Sequence, residues 1–124
     1  MEYQTALVKS LAEGWAVTGK SAANTAGKAA KAAAAGRAHY LTGFTVAVSA
    51  AAAAATAAGF AITIKDGTTV IWETLFPASA AVGTERTITF TSPLKCSVNS
   101  ELSVNVAALG ANSIAIMNIT GYTL

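Results

Sequence analysis

Apolar and polar residues alternate with a period of two through most of the chain after residue 38. Between residues 39 and 49 the alternation places Tyr40, Phe44, Val46 and Val48 on one face of an extended segment and Leu41 on the other. This period and the many β-branched residues indicate strands. Strand-like stretches follow at 60–65, 69–76, 85–91, 102–108 and 114–122. The pattern predicts an all-β domain, an antiparallel β-sandwich or a jelly-roll-like domain.

Turn residues separate these stretches. Asp66-Gly67 lies between two of them and predicts a hairpin with a type I′ turn. Pro77 and Pro93 are expected to end the strands before them, because proline has no N–H for the ladder. Residues 50–58, almost all alanine, are expected to form a loop or a bulged crossing.

The first third of the chain lacks this alternation. Residues 5–13 have the spacing of a short helix that ends at Gly14. Residues 21–38 are rich in alanine, which favours a helix, but they offer no large apolar side chain to anchor one. An extended arm or an edge strand is the preferred interpretation of that stretch. We therefore expect an N-terminal arm at residues 1–37 and the sandwich at residues 38–124.

Composition points towards association. The 124 residues include 30 Ala and 16 Thr, so the sandwich has few bulky side chains to bury. Such a domain gains less from apolar burial than a typical one, and contact with a neighbour would supply the missing burial.

Charge is sparse and unevenly placed. Residues 1–37 carry five cations and two carboxylates, a net of +3, while the rest carries three cations and four carboxylates, a net of −1. This is too little for a nucleic-acid footprint. The uncharged stretch 44–64 is long enough to cross a bilayer, but its weakly apolar middle and alternating flanks argue against a membrane span.

Catalytic and metal-binding chemistry is nearly excluded by the residues present. The chain has one His (His39) and one Cys (Cys96), too few for a multi-His or Cys zinc site, and its carboxylates show no suggestive pairing. His39 is interpreted as a polar residue at a strand edge, and Cys96 as a small buried or half-buried residue. We expect no enzyme activity and no cofactor.

One motif could suggest otherwise. Residues 14–21, GWAVTGKS, match the phosphate-loop pattern G-x-x-x-x-G-K-[ST] letter for letter, with Lys20 and Ser21 as the phosphate and magnesium ligands. The flanking pattern lacks the preceding apolar strand and the following helix that the motif needs, so we interpret it as a chance match. A nucleotide-binding enzyme remains the alternative that this motif would support.

Four segments resemble small virion proteins of tailed bacteriophages, namely residues 35–44, 66–73, 90–95 and 121–124. Those relatives are β-sandwich or jelly-roll proteins that serve as head decoration (cement) proteins or as fibre-tip modules. The resemblance implies a non-enzymatic protein on the exterior of a capsid, made in the bacterial cytoplasm, with the major capsid protein as its partner. The family includes dimers, trimers and fibre-like assemblies, so we expect a homo-oligomer, a dimer or a trimer. The charge and hydropathy patterns described above predict no nucleic-acid and no membrane partner.

The resemblance further implies that the N-terminal arm contacts the shell. The residues we expect to make that contact are Lys9, Trp15, Lys20, Lys28, Lys31 and Arg37. The alternative is a tail-fibre or receptor-binding module whose loops at 79–83 and 109–112 contact host glycans. Trp15, Trp72, Tyr40 and Tyr122 are expected to be core or interface anchors.

Overall fold

The structure is a computed structural model that describes residues 13–22, 25–50, 60–76, 85–107 and 113–124. Over these residues the chain forms eight strands and no helix, which confirms the predicted all-β class. The strands are β1 (Glu13–Lys20), β2 (Gly27–Lys31), β3 (His39–Ala50), β4 (Phe60–Asp66), β5 (Thr69–Phe76), β6 (Glu85–Lys95), β7 (Leu102–Val106) and β8 (Ser113–Thr123).

The strands form two four-stranded sheets. The first sheet has the order β1-β8-β3-β6 and the second has the order β2-β7-β4-β5. All neighbouring strands are antiparallel. Successive strands β1 and β2 lie in different sheets, and the last strand β8 lies between β1 and β3. This order is that of an eight-stranded jelly roll, one of the two architectures that the sequence predicted.

The apolar faces of the two sheets pack against each other. Leu41, Ile62, Ile64, Met117 and Ile119 are fully buried between them. Burying a side chain of this size stabilises the fold by about 1.5–3 kcal/mol relative to leaving it exposed.

Where β5 and β6 meet, the core is aromatic. Trp72 lies edge-on to Phe44 and to Phe90, with ring centroids 5.9 and 5.3 Å apart. Trp72 is therefore a core anchor, as the sequence predicted.

A bulge in β3 changes which side chains face the core. The register of β3 shifts between Leu41 and Gly43 against both of its neighbours. The shift puts Leu41 and Phe44 inside together, although strict alternation predicts opposite faces for them. Tyr40, predicted on the same face as Phe44, instead lies on the outer face and stacks on Tyr122 with ring centroids 4.8 Å apart.

The predicted hairpin between β4 and β5 is present, but its turn lies one residue further towards the C-terminus than predicted. Asp66 pairs with Thr69, so the two-residue turn is Gly67-Thr68. Gly67 has a φ of 60°, and among the described non-glycine residues only Asn99 has a positive φ. A positive φ at the first turn position alone is the pattern of a type II′ turn, whereas the predicted type I′ turn has a positive φ at both positions.

Residues 13–37 differ from the expected separate arm. Their two strands belong to the sandwich: β1 pairs with β8 along its whole length, and β2 pairs with β7. Trp15 and Val17 pack against the core from one face of β1, which explains why this strand joins the first sheet. The edge-strand interpretation of residues 21–38 is confirmed by β2. The predicted helix at 5–13 lies outside the described residues except for Glu13, which begins β1.

Pro93 does not end β6, which continues to Lys95. β6 is an edge strand of the first sheet, where a missing N–H costs no ladder bond. The pairing with β3 skips from Thr89 to Leu94, so the proline lies in an irregular part of the strand. Residues 51–59, most of the predicted alanine-rich loop, lie outside the described part of the chain.

Candidate functional site

A chain of hydrogen bonds links side chains at the end of the sandwich where β1 and β3 begin and β8 ends. The indole Nε1 of Trp15 donates to Oγ1 of Thr123 over 3.1 Å. The same Oγ1 is 2.6 Å from Nδ1 of His39, whose Nε2 is 2.6 Å from the carbonyl oxygen of Ala32. His39 and Thr123 are 0% and 2% exposed. The bonds therefore join β1, β3, β8 and the segment after β2.

The partners of His39 fix its tautomer. A carbonyl oxygen only accepts, so the hydrogen of a neutral ring lies on Nε2. Nδ1 then accepts from the hydroxyl of Thr123, whose oxygen accepts from Trp15, and each polar group has a partner. This arrangement gives His39 a structural role. The sequence interpretation, a polar residue at a strand edge, differs in that the ring is fully buried.

Gly121 makes room for Trp15 in this arrangement. Gly121 is the cross-strand partner of Trp15. A Cβ on Gly121 would lie 2.6 and 2.7 Å from the ring carbons Cζ2 and Cη2 of Trp15. The indole therefore lies over the bare backbone of β8. A glycine within a strand is a sequence sign of such a close approach, and it was the one local signal for this contact.

Two cations, Arg37 and Lys31, lie next to Trp15 and Thr123. Arg37 donates from Nη1 to Oε2 of Glu13 over 2.8 Å and from Nη2 to the carbonyl of Thr123 over 3.2 Å. The hydrogen bond from Arg37, followed by its positive charge, holds the pKa of Glu13 below its ordinary value. Nζ of Lys31 lies 6.0 Å from the centre of the Trp15 ring, within reach of a cation–π contact.

Two exposed apolar side chains lie beside these cations. Val98 and Leu124 are 52% and 41% exposed. Backbone hydrogen bonds hold both residues near Arg37. The N–H of Asn99, which follows Val98, donates to the carbonyl of Arg37, and Leu124 exchanges two backbone hydrogen bonds with Ala38. We call the surface formed by Trp15, Lys31, Arg37, Val98 and Leu124 the basic end. Tryptophan, arginine and exposed aliphatic groups together are typical of protein interfaces.

The structure brings together three of the six predicted contact residues, Trp15, Lys31 and Arg37. Lys28 lies on the outer face of the second sheet, where its Nζ is 3.1 Å from Oε1 of Glu101. Lys20 is at the opposite end of β1, paired with Ile116. Lys9 lies outside the described residues, as do the loops at 79–83 and 109–112 of the alternative interpretation. Sequence reasoning missed Thr123 and His39 as the groups that organise this end.

The phosphate-loop pattern at residues 14–21 has no loop. All of its residues up to Lys20 belong to β1 and pair with β8. Ser21, which the motif would use for magnesium, is 2% exposed and accepts a hydrogen bond from the backbone N–H of Ala115. A phosphate cradle needs backbone N–H groups that converge on one point, and an extended strand points them alternately to its two sides.

Cys96 is buried, as predicted, in the turn between β6 and β7. Burial raises the pKa of its thiol to about 12, and the nearby Asp66 charge adds to the effect. Asp66 accepts from the N–H and the hydroxyl of Ser97 over 2.9 and 2.7 Å. A hydrogen bond from the Ser100 side chain is the largest cause that lowers the pKa of Asp66. The thiol is therefore protonated at neutral pH, and the turn is held by the carboxylate.

Within the described residues, no group of three or more His, Cys, Asp or Glu side chains is placed to hold a metal ion, and no helix is long and apolar enough to cross a membrane.

Comparison with known proteins shows a shared fold. No protein-family model and no curated protein matches this chain. Among solved structures, latent dimeric PorU from Porphyromonas gingivalis is similar, with 12% identity and a TM-score of 0.52 over 90% of this chain and 12% of that one. The PRD1 vertex protein P5 has 15% identity and a TM-score of 0.49 over 88% of this chain and 73% of that one. A family 32 carbohydrate-binding module from C. perfringens NanJ, in complex with galactose, has 14% identity and a TM-score of 0.42 over 90% and 95%. At these identities the likeness concerns the β-sandwich alone.

Proposed function

We propose that this protein is a non-enzymatic structural protein of a tailed-phage virion that binds the outside of the capsid shell through its basic end and reinforces it. The observation that carries the proposal is the convergence of Trp15, Lys31 and Arg37 beside exposed Val98 and Leu124. Eight-stranded jelly rolls are a common architecture of virus coat and lectin domains, which is compatible with a virion role as a fold-level analogy.

The partner we propose is an acidic surface of the major capsid protein. Lys31 and Arg37 would speed the encounter with such a surface. Trp15, which is only half-buried, would supply apolar contact area. When Arg37 contacts the partner, its ion pair with Glu13 would weaken, and water would solvate the Glu13 carboxylate instead. The loss in free energy would be small, because this ion pair is exposed.

Reinforcement would follow from mass action. A protein that binds the mature lattice and not the disassembled subunits stabilises that lattice by its binding free energy. A homo-oligomer, a dimer or a trimer, would contact several capsid subunits at once and gain from the high effective concentration of its second and third sites.

The test is binding to expanded phage heads that lack their decoration protein. Wild type should co-sediment with the heads and raise the temperature at which they release DNA. A double charge reversal, Lys31→Glu with Arg37→Glu, should weaken binding by at least about tenfold, because like charges would then face each other. Lys20→Glu is the matched control, since Lys20 lies at the other end of β1, and it should bind as wild type does. Failure of the wild type to bind any shell, or equal loss in the control, would refute the proposal.

A further inference from the structure

A shallow groove runs over the outer face of the second sheet, away from the basic end. Its volume is about 430 Å³ and its lining includes Lys28, Thr63, Lys65 and Asn105, with the methyl groups of Ala61 and Ala107. The strand register explains the arrangement, because Asn105 of β7 pairs with Lys28 on one side and with Thr63 on the other. The alanines leave a depression beside these longer side chains.

The polar groups of the groove have unused hydrogen-bonding capacity. The amide Nδ2 of Asn105 donates to Oγ of Ser103 over 2.9 Å and to the carbonyl of Thr63 over 3.4 Å, which leaves Oδ1 as an acceptor. Lys28 gives one of its three N–H groups to Glu101. The ammonium of Lys65 and the hydroxyl of Thr63 have no side-chain partner within the described part of the chain.

We propose that this groove binds a small carboxylate of hexose size, a sugar acid. Both charged residues in its lining, Lys28 and Lys65, are cations, and their N–H donors outnumber the available acceptors. A carboxylate forms its strongest hydrogen bonds with such ammonium donors. The alanine methyl groups offer an apolar floor for the C–H face of a sugar ring. The groove volume lies within the usual range of small-molecule sites.

Besides Glu101, which pairs with Lys28, a second carboxylate lies near the groove. Glu73 of β5 pairs with Thr63 and is exposed on the same outer face. Its negative charge would repel a bound carboxylate, so its removal should tighten binding. A residue that merely supported the fold would not produce such a gain.

The experiment is a titration of the full chain with glucuronate, followed by ¹H–¹⁵N NMR. Amide shifts should saturate and be confined to residues 26–28, 61–65 and 103–107, and glucose should produce much weaker shifts. Lys65→Gln should weaken glucuronate binding about tenfold, the usual effect of losing one charged hydrogen bond. Glu73→Gln should tighten it. Lys95→Gln, which removes an ammonium from the first sheet, is the control and should leave it unchanged.

Three results would overturn the inference: no saturable shift with glucuronate, equal binding of glucose, or equal affinity in the Lys65→Gln variant. Tighter binding of glucose 6-phosphate than of glucuronate would overturn the assignment to a carboxylate. The groove variants leave Trp15, Lys31 and Arg37 intact. Loss of sugar-acid binding and loss of shell binding are therefore measured separately.

Discussion

Thr123→Val should destabilise the fold far more than a threonine substitution in a β-strand usually does. Valine keeps the branched shape and the strand preference of threonine but lacks its hydroxyl. That hydroxyl accepts from Nε1 of Trp15 and donates to Nδ1 of His39. The substitution therefore leaves two polar groups without partners, one fully buried and one half-buried.

The magnitude follows from the burial of the two groups. A buried polar group left without a partner costs about 1–3 kcal/mol, and the half-buried indole should cost less than the imidazole because water can reach it. Together they should lower the free energy of unfolding by about 2–4 kcal/mol. Urea unfolding followed by tryptophan fluorescence measures this change, as a shift of the midpoint by about 1–2 M.

Two variants serve as controls for this measurement. Thr120→Val, on the exposed outer face of the same strand, should lie within about 0.5 kcal/mol of wild type. Thr123→Ser should restore most of the loss. A Thr123→Val protein as stable as the Thr120→Val control would refute the inferred hydrogen-bond chain. The double variant, His39→Phe with Thr123→Val, should lose less unfolding free energy than the sum of the losses in the two single variants, because the two residues share one interaction.

Three further predictions concern the same end of the molecule and the adjoining turn. Near pH 8, Cys96 should react with a thiol reagent on the order of 100-fold more slowly in the native protein than in urea. Burial raises the pKa of its thiol to about 12, and a reagent reaches the thiol only after local opening. Fast labelling of the native protein would contradict this burial. Asp66 has a lowered pKa, so the stability it contributes is present above its unfolded pKa of about 3.9 and is lost as the pH falls through the folded value. Urea midpoints should therefore fall more between pH 7 and acid in wild type than in Asp66→Asn, and parallel curves would contradict this. Gly121→Ala should lower the melting temperature, because its Cβ would clash with the carbonyl oxygen of Tyr40 and with the Trp15 ring, whereas Gly14→Ala, whose Cβ would lie 4.0 Å from the nearest atom, should change it little; equal melting temperatures for the two variants would show that β8 does not need a glycine at position 121.

The sequence predicted the strands of the sandwich because their period of two reflects burial of one face. It could not predict the faces of Tyr40 and Leu41, since one bulged residue, Thr42, reverses the alternation and leaves no local mark. β1 was also difficult to predict from the sequence, because a phosphate-loop pattern and small residues obscured the alternation of Trp15 and Val17. The hydrogen bond between His39 and Thr123 joins residues 84 positions apart, and no local pattern reports such a pair.

The position of β8 between β1 and β3 also constrains how the chain can fold. Glu13 pairs with Thr123, so the hydrogen bonds between β1 and β8 can form only when β8 is present. The ladder between β1 and β8 therefore forms only after Thr123 has been synthesised, and contacts this distant in sequence form slowly. Truncation before residue 113 should yield protease-sensitive, aggregation-prone material rather than a smaller stable sandwich.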